Sequence, residues 1–177
     1  MTRIEAVRGD ITTQDVDAVV NAASSALLGG GGVDGAIHAA AGPALLEECR
    51  RLRRTTLPDG LAVGDAVATG AGALPARHVI HTVGPNRHRG QTDPALLASC
   101  FTRSLAVARE VGARSVALPA VGAGVYGWDG REVAEVAVTA VLADTAAAPG
   151  LDLVRFVLFS QRLLDAFTAA LTRHTGT

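Results

Sequence analysis

A chain of 177 residues with 16 basic and 17 acidic side chains, formal charge −1, has length for one well-cored domain and no general pull on nucleic acid or membrane. All of its basic residues other than histidine are arginine, which excludes Schiff-base lysine chemistry and a Walker-type phosphate lysine. At 49% apolar but only 3% aromatic, the core has to be built from Ala, Val and Leu.

In chain order, "MTRIEAVRGD" lacks an apolar signal region, and "RIEAVRG" (3–9) reads as a weak edge strand. "DAVVNAA" (17–23) is a continuous apolar run of the kind covered on both faces. Helical spacing then occupies 43–54, and "GDAVATG" (64–70) is a second weak edge strand. "HVIHTVG" (78–84) is a strand, followed by the polar loop "GPNRHRGQTD" (84–93), read as a solvated crossing. Asp93 and Pro94 open a helix over 94–112, with Gly112 as its cap. "SVALPAV" (115–121), a helix over 130–146, the strand "LVRFVLF" (153–159) and a helix over 161–173 complete the pattern. Repeated β-then-α units predict a mostly parallel sheet between helices, in one domain over 1–177. Cys49 and Cys100 stand alone and are expected as buried, inert thiols, with no metal site signalled. No apolar stretch approaches the roughly 20 residues of a membrane span, so a cytoplasmic, monomeric protein is expected.

Two glycine loops leave predicted strands and enter helices. The first holds Gly29, Gly30, Gly31 and Gly32 and runs into a helix from about Val33. Each glycine inside regular structure costs about 0.5–1 kcal/mol relative to alanine, so four in a row call for a return. The second is "VGAGVYGWDG" (121–130). Such turns present free backbone N–H groups and the positive end of a helix dipole, an anion site. Both match GxGxxG, yet the first stands several residues beyond its strand and the second lacks a ribose acid about twenty residues on. The pair is therefore read as two loops gripping one diphosphate beyond the carboxyl ends of the strands.

"GDIT" (9–12), "DAVVNAA" (17–23), "LLGGGGVDGAIHAAAGP" (27–43), "LPARHVIHTVGP" (74–85) and "GVYGW" (124–128) resemble a macrodomain of the MacroD type, in the family's order. The resemblance implies a three-layer α/β/α fold around a mixed, mostly parallel sheet. It implies ADP-ribose binding with no cofactor. It further implies removal of mono-ADP-ribose from modified proteins, acidic side-chain esters first, or deacetylation of O-acetyl-ADP-ribose. Partners would be ADP-ribose and mono-ADP-ribosylated proteins.

Carried over by residue, Asp10 accepts from the adenine amino group, with Ile11 beside it, and Phe159 stacks on adenine. Gly29 to Gly32 and Val33 follow the diphosphate and distal ribose. Gly122, Ala123, Gly124, Val125 and Tyr126 close over the phosphates, and Trp128 packs on the distal ribose. Asp34 assists the attacking water, with Asn21 and Ser24 completing the catalytic set. Where the family reads Asn-Ala-Ala-Asn this chain has "NAAS", so Ser24 replaces an amide with a shorter hydroxyl. A reader that binds ADP-ribose without cleaving it is the alternative that this departure supports.

Blander readings stand beside these. Asp34 is also a natural N-cap. His38, one turn on, is either a partner of Asp34 or a packed histidine, and His81 reads as a hydrogen-bonded core residue. Asp17 reads as a cap or as a turn into its strand, and "RRLRR" (50–54) as a solvated helix end, with contact to an acidic partner as the other reading.

Overall fold

The computed structural model describes residues 1–176. The apolar runs become six strands of one sheet: β1 (Arg3–Arg8), β2 (Ala18–Ala22), β3 (Ala66–Gly70), β4 (His78–Thr82), β5 (Ser115–Leu118) and β6 (Leu153–Leu158). Their spatial order is β1-β6-β5-β2-β4-β3. All neighbours are parallel except β3, which runs antiparallel to β4 at one edge. The two weak strands of the sequence are the two edges. β5 stops at Leu118 because Pro119 has no N–H to donate to a ladder.

Five helices cover the sheet: α1 (Gly32–Ala41), α2 (Pro43–Arg54), α3 (Pro94–Glu110), α4 (Gly130–Ala147) and α5 (Gln161–Thr175). Asp93 caps α3 as expected, accepting from Ala95 N at 2.9 Å. That helix ends at Glu110, with Val111 as C-cap and Gly112 next in the left-handed region at φ +79°.

Alternation along the strands divides the core. Ala18, Val20, Ile80 and Phe156 pack with α3, α4 and α5. Val19 and Val79 pack on the other face with Ile37 and Ala41 of α1 and Leu45 of α2. The result is three layers, α/β/α. Three of the four phenylalanines pack in a row inside, Phe101, Phe156 and Phe167, with ring centroids 6.5 and 5.0 Å apart. The fourth, Phe159, is 70% exposed.

β2 and β5 are neighbours, but the chain leaves β2 toward α1 on one face and β5 toward α4 on the other. Loops diverging from adjacent parallel strands leave a crevice above their carboxyl ends, where ligands of open α/β sheets sit.

Candidate functional site

That crevice is a cleft of about 690 Å³. Asp10, Ile11, Ser24, Gly29 to Gly32, Val33, Asp34, Gly122 to Tyr126 and Phe159 all line it. Asn21, expected in the catalytic set, and Trp128, expected on the distal ribose, do not.

The segment before the tetraglycine is pinned. Leu27, 1% exposed, adopts φ +59°, the only positive φ outside glycine among the described residues. Such a conformation persists only when the surroundings enforce it. Here Leu27 packs with Ala23, Cys49, Leu61 and Val83. Leu61 N donates to Ser25 O at 2.9 Å, and the Arg53 guanidinium donates to the carbonyls of Ala26, Leu57 and Pro58 at 2.9–3.2 Å. Arg53 is therefore a structural tie rather than part of a solvated helix end.

Gly29 and Gly32 have φ +85° and +59°, which side-chain-bearing residues adopt only under strain. Farther on, a Cβ on Gly35 would stand 2.4 Å from Gly30 O, so the loop lies directly against the helix it opens.

α1 begins without a side-chain cap. Side chains of Asp93, Asp129 and Ser160 do cap α3, α4 and α5. The first amides of α1 are thus left facing the cleft, with the partial positive charge of a helix start. Asp34 does not serve as the cap. Its carboxylate is 5% exposed, and Oδ1 accepts from Asn21 Nδ2 at 2.8 Å and lies 3.5 Å from His38 Nε2. Oδ2 lies beside the loop, 3.3 Å from where a Cβ on Gly30 would stand. Asn21, 0% exposed, therefore reaches the cleft only through Asp34. Ser24 lines the cleft, half-buried, and its hydroxyl bonds to no other described residue.

At the other end Asp10 Oδ1 accepts from the hydroxyl and amide of Thr12 at 2.7 and 2.9 Å. Those two bonds, the hydroxyl's first, hold its carboxyl below the ordinary value, so it is an ionised acceptor at the rim. Phe159 and Val125 are the large exposed apolar side chains lining the cleft, at 70% and 79% exposure.

The second loop is braced from behind by the segment read as a solvated crossing. Arg87 N donates to Tyr126 O at 2.9 Å, and Trp128 Nε1 donates to Pro85 O at 2.9 Å. The Arg87 guanidinium lies 3.9 Å over the indole and pairs with Glu132. Trp128 is 4% exposed, and its ring backs Gly122, whose Cβ would meet it at 3.1 Å. It supports the loop from beneath because burial of the indole and its N–H satisfies both its apolar body and its polar edge. The "RHR" of that crossing carried no sign of this in sequence; only the aromatic partner forty residues on explains it.

Burial pushes the thiols of Cys49 and Cys100 up to about 11, keeping them protonated. Among the described residues no group of three or more His, Cys, Asp or Glu could hold a metal ion. No helix there is long and apolar enough to cross a membrane.

The Macro domain family profile matches residues 20–137. A macro domain-containing protein of Streptomyces coelicolor is 54% identical over 97% of this chain and 99% of its own length. One of Vibrio parahaemolyticus is 48% identical over 98% of this chain and 100% of its own. Among solved structures, the Oceanobacillus iheyensis macrodomain with ADP superposes at TM-score 0.92, with 37% identity over 97% of this chain and 90% of that one. The Trypanosoma brucei macrodomain in complex with ADP-ribose superposes at 0.85, with 35% identity over 95% and 68%. Profile, sequence relatives and fold agree with the glycine loops and layer order described above: this chain belongs to the macro domain family.

Proposed function

We propose that the cleft binds ADP-ribose and that the chain is a MacroD-type hydrolase, removing mono-ADP-ribose from proteins or the acyl group from O-acetyl-ADP-ribose. Residues 1–177 act in this reading as one monomeric macrodomain of the cytoplasm. Relatives of the same fold hold ADP and ADP-ribose, and the cleft has matching chemistry at each end. The uncapped start of α1 offers amides to a diphosphate, and the facing loop 122–126 closes the other side. Asp10 accepts from an exocyclic amine, and exposed Phe159 offers a face for a base to stack on.

The observation that carries hydrolysis is Asp34. A carboxylate at the first turn of an uncapped helix, oriented by a buried amide rather than spent as a cap, is placed to accept a proton from an attacking water. Asn21 holds that carboxylate and does not touch the substrate. Trp128 sets the height of the phosphate loop rather than meeting the distal ribose.

The test is turnover of protein mono-ADP-ribosylated on acidic side chains. Asp34→Ala should lower the rate by about 10²–10⁴-fold while ADP-ribose binding by calorimetry stays within a few-fold. Unchanged turnover in this variant would refute the role. Ser24, a short hydroxyl on the cleft wall where the family carries an amide, favours a second reading, a binder without turnover. It predicts calorimetric binding with no product after long incubation.

A further inference from the structure

A buried polar line continues behind Asp34 across the sheet, from β2 through β4 toward the edge strand β3. Asn21 on β2 and His81 on β4 face each other in register and are both 0% exposed. Asn21 Nδ2 lies 3.2 Å from His81 Nδ1, and His81 Nε2 lies 3.0 Å from Thr69 Oγ1 on β3. Thr69 in turn donates its hydroxyl proton to Gly70 O at 2.9 Å.

Donors and acceptors in this line run one way only. Thr69 has given away its single proton, so its oxygen must accept from His81, which places the ring proton on Nε2. His81 Nδ1 is then a bare lone pair and must accept, so Asn21 turns its NH₂ group toward it. The second hydrogen of that NH₂ goes to Asp34 Oδ1 at 2.8 Å. A flipped amide would set its oxygen against both the imidazole lone pair and the carboxylate. The amide oxygen, Oδ1, is left buried without any partner. Buried acceptors are rarely left unpaired, so this side chain is held by its nitrogen end against its own oxygen's preference. Cys49 Sγ, 3.8 Å from Nε2, is the other polar neighbour of the ring, and its thiol stays protonated.

We propose that His81 is a positioning residue for Asp34: as the neutral Nε2–H tautomer it fixes the Asn21 amide, which commits Asp34 Oδ1 and leaves Oδ2 as the oxygen that takes the proton of the attacking water. The turnover part of this rests on the hydrolase reading; the tautomer and the carboxylate's position do not. Orientation of a reacting group by residues that never touch substrate is a recognised source of rate.

Three measurements test it on the full chain. Nitrogen-15 NMR of wild type at neutral pH should report His81 as the Nε2–H form; an Nδ1–H form overturns the proposal. His81→Leu removes the acceptor, whereas His81→Asn keeps an oxygen near the place of Nδ1. In a crystal structure of His81→Leu the Asp34 carboxylate should have left its position, and an unmoved Asp34 overturns the proposal even if the protein only binds. In turnover, His81→Leu should lower kcat about tenfold or more with KM and ADP-ribose affinity within about threefold, and His81→Asn should recover most of the loss. Equal damage to kcat in both variants, or none in His81→Leu while Asp34→Ala is inactive, overturns it. Should His81→Leu fail to fold, Thr69→Val loosens the same line from its far end and should give a smaller kcat loss in the same sense; an unchanged kcat there overturns the proposal.

Discussion

The two glycine loops leave neighbouring parallel strands and look alike in sequence, yet they are built for different work. The first ends in a helix whose start is uncapped and carries Asp34, and it is tied down by a strained Leu27 and the guanidinium of Arg53. The second ends in a helix capped by Asp129 and rests on Trp128, Pro85 and Arg87 of a segment remote in sequence. One loop leaves its helix-start donors and its carboxylate at the cleft. The other spends its neighbours on holding a shape. Glycine content marks a loop as able to approach a phosphate; what lies behind the loop decides whether the helix it opens starts bare or capped.

That contrast can be broken experimentally. Asp34→Ala has the largest expected effect on chemistry and a smaller one on stability, about 1–3 kcal/mol for the buried Asn21 amide left without its acceptor. Trp128→Ala should do the reverse. Emptying a buried indole site costs about 3–5 kcal/mol, read by chemical denaturation, and ADP-ribose affinity falls because Gly122 loses its support. If Trp128→Ala lost turnover with full stability, the indole would belong to the reacting end after all.

Acid tests the support of the first loop. Burial first, and His38 second, depress His81 to about 3, against 6.5 for a free imidazole. The folded state refuses a proton that the unfolded chain accepts, so this contribution to stability is full above about pH 6.5. It drains away as pH falls toward 3, by a few kcal/mol in all. His81→Asn should flatten that limb of a stability-against-pH curve; an unchanged limb would assign it to other groups.

Gly35→Ala sharpens the comparison from the backbone side. Its methyl would meet Gly30 O at 2.4 Å, so the first loop has to move, and ADP-ribose affinity should fall about tenfold in calorimetry. The smallest effect belongs to Arg87→Ala. The guanidinium is replaceable by water at the surface, so affinity should weaken by less than about threefold and melting temperature should drop slightly.

Element order, the two edge strands and most helix boundaries were legible in the chain because they follow from local chemistry: apolar periodicity and the Asp93-Pro94 cap; the strand read over 115–121 instead stops at Leu118, before Pro119. The cleft lining was legible for the same reason, since glycine runs and Asp34 announce themselves within a few residues. Asn21, Trp128 and Arg87 were not. Asn21 was expected as a catalytic residue, and Arg87 in a solvated crossing. What each does depends on a partner 13 to 45 residues away. Sequence by itself determined which backbone would be bare and where a carboxylate would stand. Only the packed sheet decided which polar groups would be buried face to face, because a hydrogen bond across strands exists only once register has brought its two ends within about 3 Å.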